Sequence, residues 1–137
     1  MKTIVYLIRH SVRFNNKEMI ESYKTTQNAL LKNEKIVLSV TGEKRAEILS
    51  NEEELQDIDV VYTSNCVRTL QTAKYLLEKQ NLKANIDERF DERRVGIPND
   101  GEVADWYVRQ YEDESYKTIG GESQADVRNR MYEALQE

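Results

Sequence analysis

Three short runs rich in β-branched and aromatic residues, at 3–8, 59–63 and 84–87, alternate with stretches of helical spacing. That alternation constrains the fold more than anything else in the chain. Strands separated by helices pack as a parallel sheet, so the expected class is α/β. The expected arrangement is three-layer α/β/α with a mainly parallel sheet. Thr3-Ile4-Val5-Tyr6-Leu7-Ile8 reads as a buried strand, Asp59 to Thr63 as a second, and Ala84-Asn85-Ile86-Asp87 as a short edge strand. Helices are expected from Lys17 to about Asn33, after an N-cap at Thr41 to about Leu55, and from Cys66 onward with Val67, Leu70, Ala73, Leu76 and Leu77 inward. A Trp/Tyr-bearing helix follows over about Glu102 to Asp113, then a last one capped by Ser123 with Val127, Met131 and Leu135 inward. At 137 residues, with no linker or low-complexity tract, one domain over 1–137 is expected.

In open α/β sheets ligands bind at the carboxyl ends of strands. The first strand leads into Arg9-His10-Ser11, and His10 is the only histidine. Thr63-Ser64 leaves the second strand on the same edge and sets the N-terminus of the Cys66 helix there. A helix N-terminus offers unpaired N–H groups and partial positive charge to an anion. Arg68, in that first turn, opposes the helix dipole, which makes sense beside a bound anion, although an exposed arginine there costs little. Phe90-Asp91-Glu92-Arg93-Arg94 adds two acids among arginines. Either they form surface ion pairs, or one donates a proton to a leaving oxygen. A nucleophilic imidazole, two guanidiniums that fork onto phosphate oxygens and one acid are the parts of phosphoryl transfer. The plain alternative is that His10 only ends a strand.

Charged residues make up 33% of the chain with a net charge of −5 and no basic block, which argues against a nucleic-acid partner. The single cysteine, Cys66, excludes an internal disulfide and leaves no Cys/His cluster for zinc. No metal or cofactor is therefore expected, and a reducing compartment, the cytoplasm, is inferred. Nothing supplies a base for a thiolate, so Cys66 reads as structural. The first apolar run is too short to span a membrane and lacks a cleavage site, so neither anchor nor signal peptide is expected.

Five segments in order resemble the histidine phosphatases, the phosphoglycerate mutase-like superfamily. Leu7-Ile8-Arg9-His10 is similar to the family's strand-end signature, with Asn16 where small members have an asparagine. Leu38-Ser39 followed by Gly42 matches "L-S/T-x-x-G". Tyr62 to Ala73 is close to the helix entry "Y-x-S-x-x-x-R-x-x-Q-T-A". Phe90 to Gly96 resembles "L-x-E-x-x-x-G", and Gly120-Gly121-Glu122-Ser123 with Asp126 and Arg130 resembles "G-G-E-S…D…R". The resemblance implies that His10 is the nucleophile that becomes phosphohistidine. Arg9 and Arg68 would hold the phosphoryl oxygens, Glu92 would be general acid and then general base, and Asn16 would line the pocket. Ser64 is expected to orient the strand–helix turn, Glu122-Ser123 to serve as a plain helix cap, and Thr72-Ala73 to pack. The implied activity is metal-independent hydrolysis of small phosphorylated metabolites, with specificity from 17–35 and 94–113. A mutase-type phosphotransferase and a non-catalytic phosphate-ester binding module are the alternatives.

Two departures stand out. Ser11 occupies the family's usual glycine position, so it either tolerates that backbone geometry or offers its hydroxyl to phosphate. Arg13 stands where the acid-phosphatase branch places another phosphate-binding arginine, which makes it a candidate third cation. More seriously, the family's second histidine, on a later strand, has no counterpart here. The chain is therefore expected to be a domain truncated before its last strands, feeble or inactive by itself. Its first strand would be left at an open sheet edge, closed by self-association with a second copy.

Overall fold

A computed structural model describes residues 2–15, 33–96 and 105–137. The chain divides into two compact units, Met1–Ile86 and Asp87–Glu137.

The first unit is built on a β–α–β element. Strands β1 (Val61–Thr63) and β2 (Ala84–Ile86) pair in parallel, with Val61 opposite Ala84, Tyr62 opposite Asn85 and Thr63 opposite Ile86. Ahead of them lies helix α1 (Val40–Leu49), and between them runs α2 (Val67–Gln80). The parallel pairing is what strands alternating with helices require. Helix α2 buries Arg68, Thr72 and Leu76, a line of i, i+4 positions on one face. Leu38, Ala46, Leu55, Cys66 and Leu76 form the buried apolar core. Helix α2 stops at Asn81, whose φ of 53° is the left-handed cap that asparagine tolerates better than other non-glycine residues. Gln80 then ties the helix end to the preceding turn: Ile58 N–H donates to its Oε1 at 3.0 Å while its Nε2 donates to the Leu55 carbonyl.

The α1–α2 contact has a polar seam. Glu43 accepts from Gln71 Nε2 and Tyr75 Oη, each at 3.0 Å, and pairs with Lys74 at 2.5 Å. The Lys74 ammonium, aided by the Tyr75 hydroxyl, holds the Glu43 carboxyl below its ordinary pKa.

Several expectations are corrected. The run Thr3–Ile8 is not a buried strand: it is irregular, with Ile4 63% and Leu7 80% exposed. β-Branched composition favours a paired, half-buried surface but does not supply one, and the described sheet contains only β1 and β2. The N-cap of α1 is Ser39, not Thr41, because Ser39 Oγ reaches the N–H of Gly42 three residues on, at 3.0 Å. That helix ends at Leu49 rather than near Leu55, since Ser50 Oγ and Asn51 Nδ2 both claim the Glu47 carbonyl; a 3₁₀ turn follows at Glu53–Leu55. The expected helix over 17–33 falls outside the described residues apart from its end, and so does Pro98.

The second unit carries a 3₁₀ turn (Glu88–Phe90), helix α3 (Trp106–Glu112) and helix α4 (Gln124–Gln136). Ser123 caps α4 as expected, in a reciprocal box: Asp126 N–H donates to Ser123 Oγ, and Ser123 N–H donates to Asp126 Oδ2, both at 3.0 Å. Helix α4 packs on the Glu88–Phe90 turn. Leu135, expected inward, is 49% exposed on the last turn.

Candidate active site

The segment bearing His10 is held from two sides. Ser11 N–H donates to Thr72 Oγ1 of α2 at 3.0 Å, and that hydroxyl donates to the Arg68 carbonyl at 2.7 Å. On the other side, residues 12–14 run antiparallel to 37–39. Phe14 N–H donates to the Val37 carbonyl at 2.8 Å, and Ser39 donates to the Val12 carbonyl through its N–H at 2.9 Å and its hydroxyl at 3.1 Å. Gly42 makes this approach possible, because a Cβ there would lie 2.1 Å from the Val12 oxygen. The Leu38-Ser39-x-x-Gly42 segment is thus the seat of the histidine segment.

His10 is half-buried, with Nδ1 2.7 Å from the Ser11 carbonyl oxygen. A carbonyl only accepts, so this bond requires the proton on Nδ1 and leaves the lone pair of the neutral ring on Nε2. Ser11 adopts no left-handed backbone; among described non-glycine residues only Asn81 has positive φ. Serine therefore satisfies the geometry at position 11 without glycine's freedom.

Around His10 lies an open depression lined by Arg9, His10, Ser11, Val12, Arg13 and Arg45. The structure thus brings together four of the expected residues, Arg9, His10, Ser11 and Arg13. It adds Arg45, which the motif reading passed over. The available signal was its place one turn beyond Gly42, on the helix face that meets the His10 segment. Thr72, read only as packing, is a hydrogen-bond support for Ser11. Arg68 is 2% exposed and donates through Nη1 to the Asn33 carbonyl; it does not line the depression. Asn16 lies outside the described residues. Ser64 orients the β1–α2 turn as expected, with its Oγ 3.0 Å from Thr69 Oγ1 and accepting from Cys66 N–H. Cys66 itself is buried.

Glu92 belongs to the second unit, where it is exposed. Its segment is pinned by Arg130 of α4, which donates to the carbonyls of Arg89 and Asp91 (2.9 Å) and grips both Glu122 oxygens at 2.8 and 3.1 Å. Arg94 N–H also donates to Glu122 at 3.0 Å. Arg130 first, and the Arg94 N–H after it, hold the Glu122 carboxyl below the usual glutamate range. Glu122 is therefore more than part of a plain cap; it and Arg130 set the path of 89–94. No group of three or more His, Cys, Asp or Glu among the described residues is placed to hold a metal, and no described helix is long and apolar enough to cross a membrane.

The family model of the histidine phosphatase superfamily (branch 1) matches residues 5–137. The chain belongs to that superfamily. Phosphoserine phosphatase 1 of Hydrogenobacter thermophilus is 34% identical over 108 residues, 73% of this chain and 51% of that protein. This histidine phosphatase chain thus spans about half the length of that relative. Mycobacterial glucosyl-3-phosphoglycerate phosphatase, solved with inorganic phosphate, superposes with a TM-score of 0.68 at 21% identity, over 93% of this chain and 58% of its own. The α-ribazole phosphatase of Shigella flexneri gives 0.61 at 20% identity, over 76% of this chain and 55% of its own. These likenesses establish the phosphoglycerate mutase-like α/β fold.

Proposed function

We propose that the protein hydrolyses small phosphate monoesters through a phosphohistidine on His10. The observation that carries this reading is the tautomer: Nδ1 is committed to the Ser11 carbonyl, so Nε2 is the nucleophilic atom, among Arg9 and Arg13. Nε2 attacks phosphorus, the P–O ester bond breaks, and the leaving oxygen takes a proton from the Glu92 carboxylic acid. Water then attacks the phosphohistidine, Glu92 takes its proton, and the N–P bond breaks to release inorganic phosphate and neutral imidazole. Arg9 and Arg68 stabilise the charge on the transferring oxygens, with Ser11, Arg13 and Asn16 as further phosphate ligands. The reaction needs no metal.

The relatives named above are phosphatases of small phosphorylated metabolites, which supports hydrolysis over transfer. The family's second phosphate-contacting histidine has no counterpart among these 137 residues, whose one histidine is His10. The activity proposed is therefore that of the whole protein, acting in the cytoplasm as part of one catalytic domain. Its net charge of −5 does not suit a nucleic-acid partner. A second copy is the proposed cover for the exposed apolar segment at 4–8.

The test is trapping by an alkaline SDS quench with a ³²P-labelled monoester in the presence of EDTA. Label that is acid-labile and base-stable, absent from His10→Gln, is the expected result. Label retained in that variant, or turnover abolished by EDTA, overturns the reading.

A further inference from the structure

We propose that Arg45 determines specificity, binding a second anionic group on the phosphate ester; this deepens, and rests on, the phosphatase reading of His10. Three guanidiniums, Arg9, Arg13 and Arg45, line the depression around His10, and none of them makes an ion pair or side-chain hydrogen bond among the described residues. Of the other described arginines, Arg89 pairs with Asp87 and Glu137, Arg128 with Glu114 and Arg130 with Glu122, while Arg94 and Arg109 make no ion pair among the described residues. The three unpaired arginines that share one depression are Arg9, Arg13 and Arg45. Clustered cations without carboxylates repel one another, and a bound anion relieves that repulsion.

A phosphate monoester is at most a dianion, so Arg9 and Arg68, with Arg13, already meet its charge and the Arg45 guanidinium is in surplus. Arg45 is also distinct in origin. Arg9 and Arg13 flank His10 in the chain, whereas Arg45 comes from α1, one turn past the Gly42 that abuts the Val12 carbonyl. Its backbone is therefore fixed relative to His10, through Gly42 and the Ser39 bonds to Val12, while its long side chain is exposed and free to reach past the phosphate. The occupant that uses this arrangement is a phosphate ester with a carboxylate or a second phosphate a few bonds from the first.

The His10 imidazole signal, assigned by its loss in His10→Gln, reports the site. That signal is followed by NMR in the full-length protein during titration with inorganic phosphate, ethyl phosphate, phosphoglycolate and ethylene glycol bisphosphate. Phosphoglycolate and ethyl phosphate have the same carbon count and differ in the carboxylate. The wild type is expected to prefer phosphoglycolate, the bisphosphate or both over ethyl phosphate by about tenfold, as a charge-assisted contact provides. Arg45→Ala should bring that preference close to unity, and Arg45→Lys should restore part of it. Whichever of the two ligands with a second anionic group responds identifies that group. Equal weakening of all ligands by Arg45→Ala, or no change in the preference, overturns the proposal while leaving the phosphatase reading intact. Failure of phosphate and every ester to move the His10 signal overturns that reading, and the Arg45 proposal with it.

Discussion

Gly42 illustrates how one atom positions the site. A methyl group there would meet the Val12 carbonyl oxygen at 2.1 Å, with backbone rather than a flexible side chain as the obstacle. Gly42→Ala should cost about 1–3 kcal/mol, as overpacking of a close contact does. It should also depress phosphatase activity more than an exposed α1 control such as Lys44→Ala does. Urea denaturation and a monoester assay check the two effects; unchanged activity with lowered stability would detach Gly42 from the placement of His10. Thr72 acts by similar logic from the other side, since its hydroxyl both accepts from Ser11 and donates within α2. Gly42 and Thr72 stand out in the sequence by residue type and motif spacing. Their work is visible only where the histidine segment comes down on them, because nothing local to either residue records a neighbour far away in the chain.

At the element scale, Asp126 links helix α4 to pH. Asp126 closes its capping box and pairs with Lys117 at 2.9 Å; the Ser123 N–H, then Lys117, pull its pKa from 3.8 to about 2. A depressed carboxyl pKa adds stability above 3.8 that is lost as pH falls toward 2. Asp126→Asn should therefore be less stable than wild type at neutral pH, and its stability should fall less steeply between those values. Thermal melts at several pH values measure this; parallel acid profiles would assign the acid sensitivity to other groups. The cap was readable from sequence because Ser123 and Asp126 stand three apart, so the whole device fits in one helical turn. The end of α1 was not, because Ser50 and Asn51 compete for a carbonyl in a way that helical periodicity does not encode.

Across the whole molecule, the apolar segment at 4–8 is the largest departure from expectation. Ile4, Val5, Leu7 and Ile8 are between 46% and 80% exposed, and runs of exposed apolar residues promote association. Sedimentation velocity over a concentration series should show self-association that Leu7→Lys weakens; a monomer at every concentration would remove this segment as an interface. Residue type and short spacing by themselves determined the α/β class, the parallel β1–α2–β2 unit, the Ser123 cap and the ordered family segments, because each rests on interactions within a few residues. The tertiary structure decided that Thr3–Ile8 is irregular, that Ser39 rather than Thr41 starts α1, and that Arg45 joins Arg9 and Arg13 around His10. Pairing, burial and convergence depend on where distant segments meet: the Ser11–Thr72 bond spans 61 residues, and a local pattern carries no measure of that encounter.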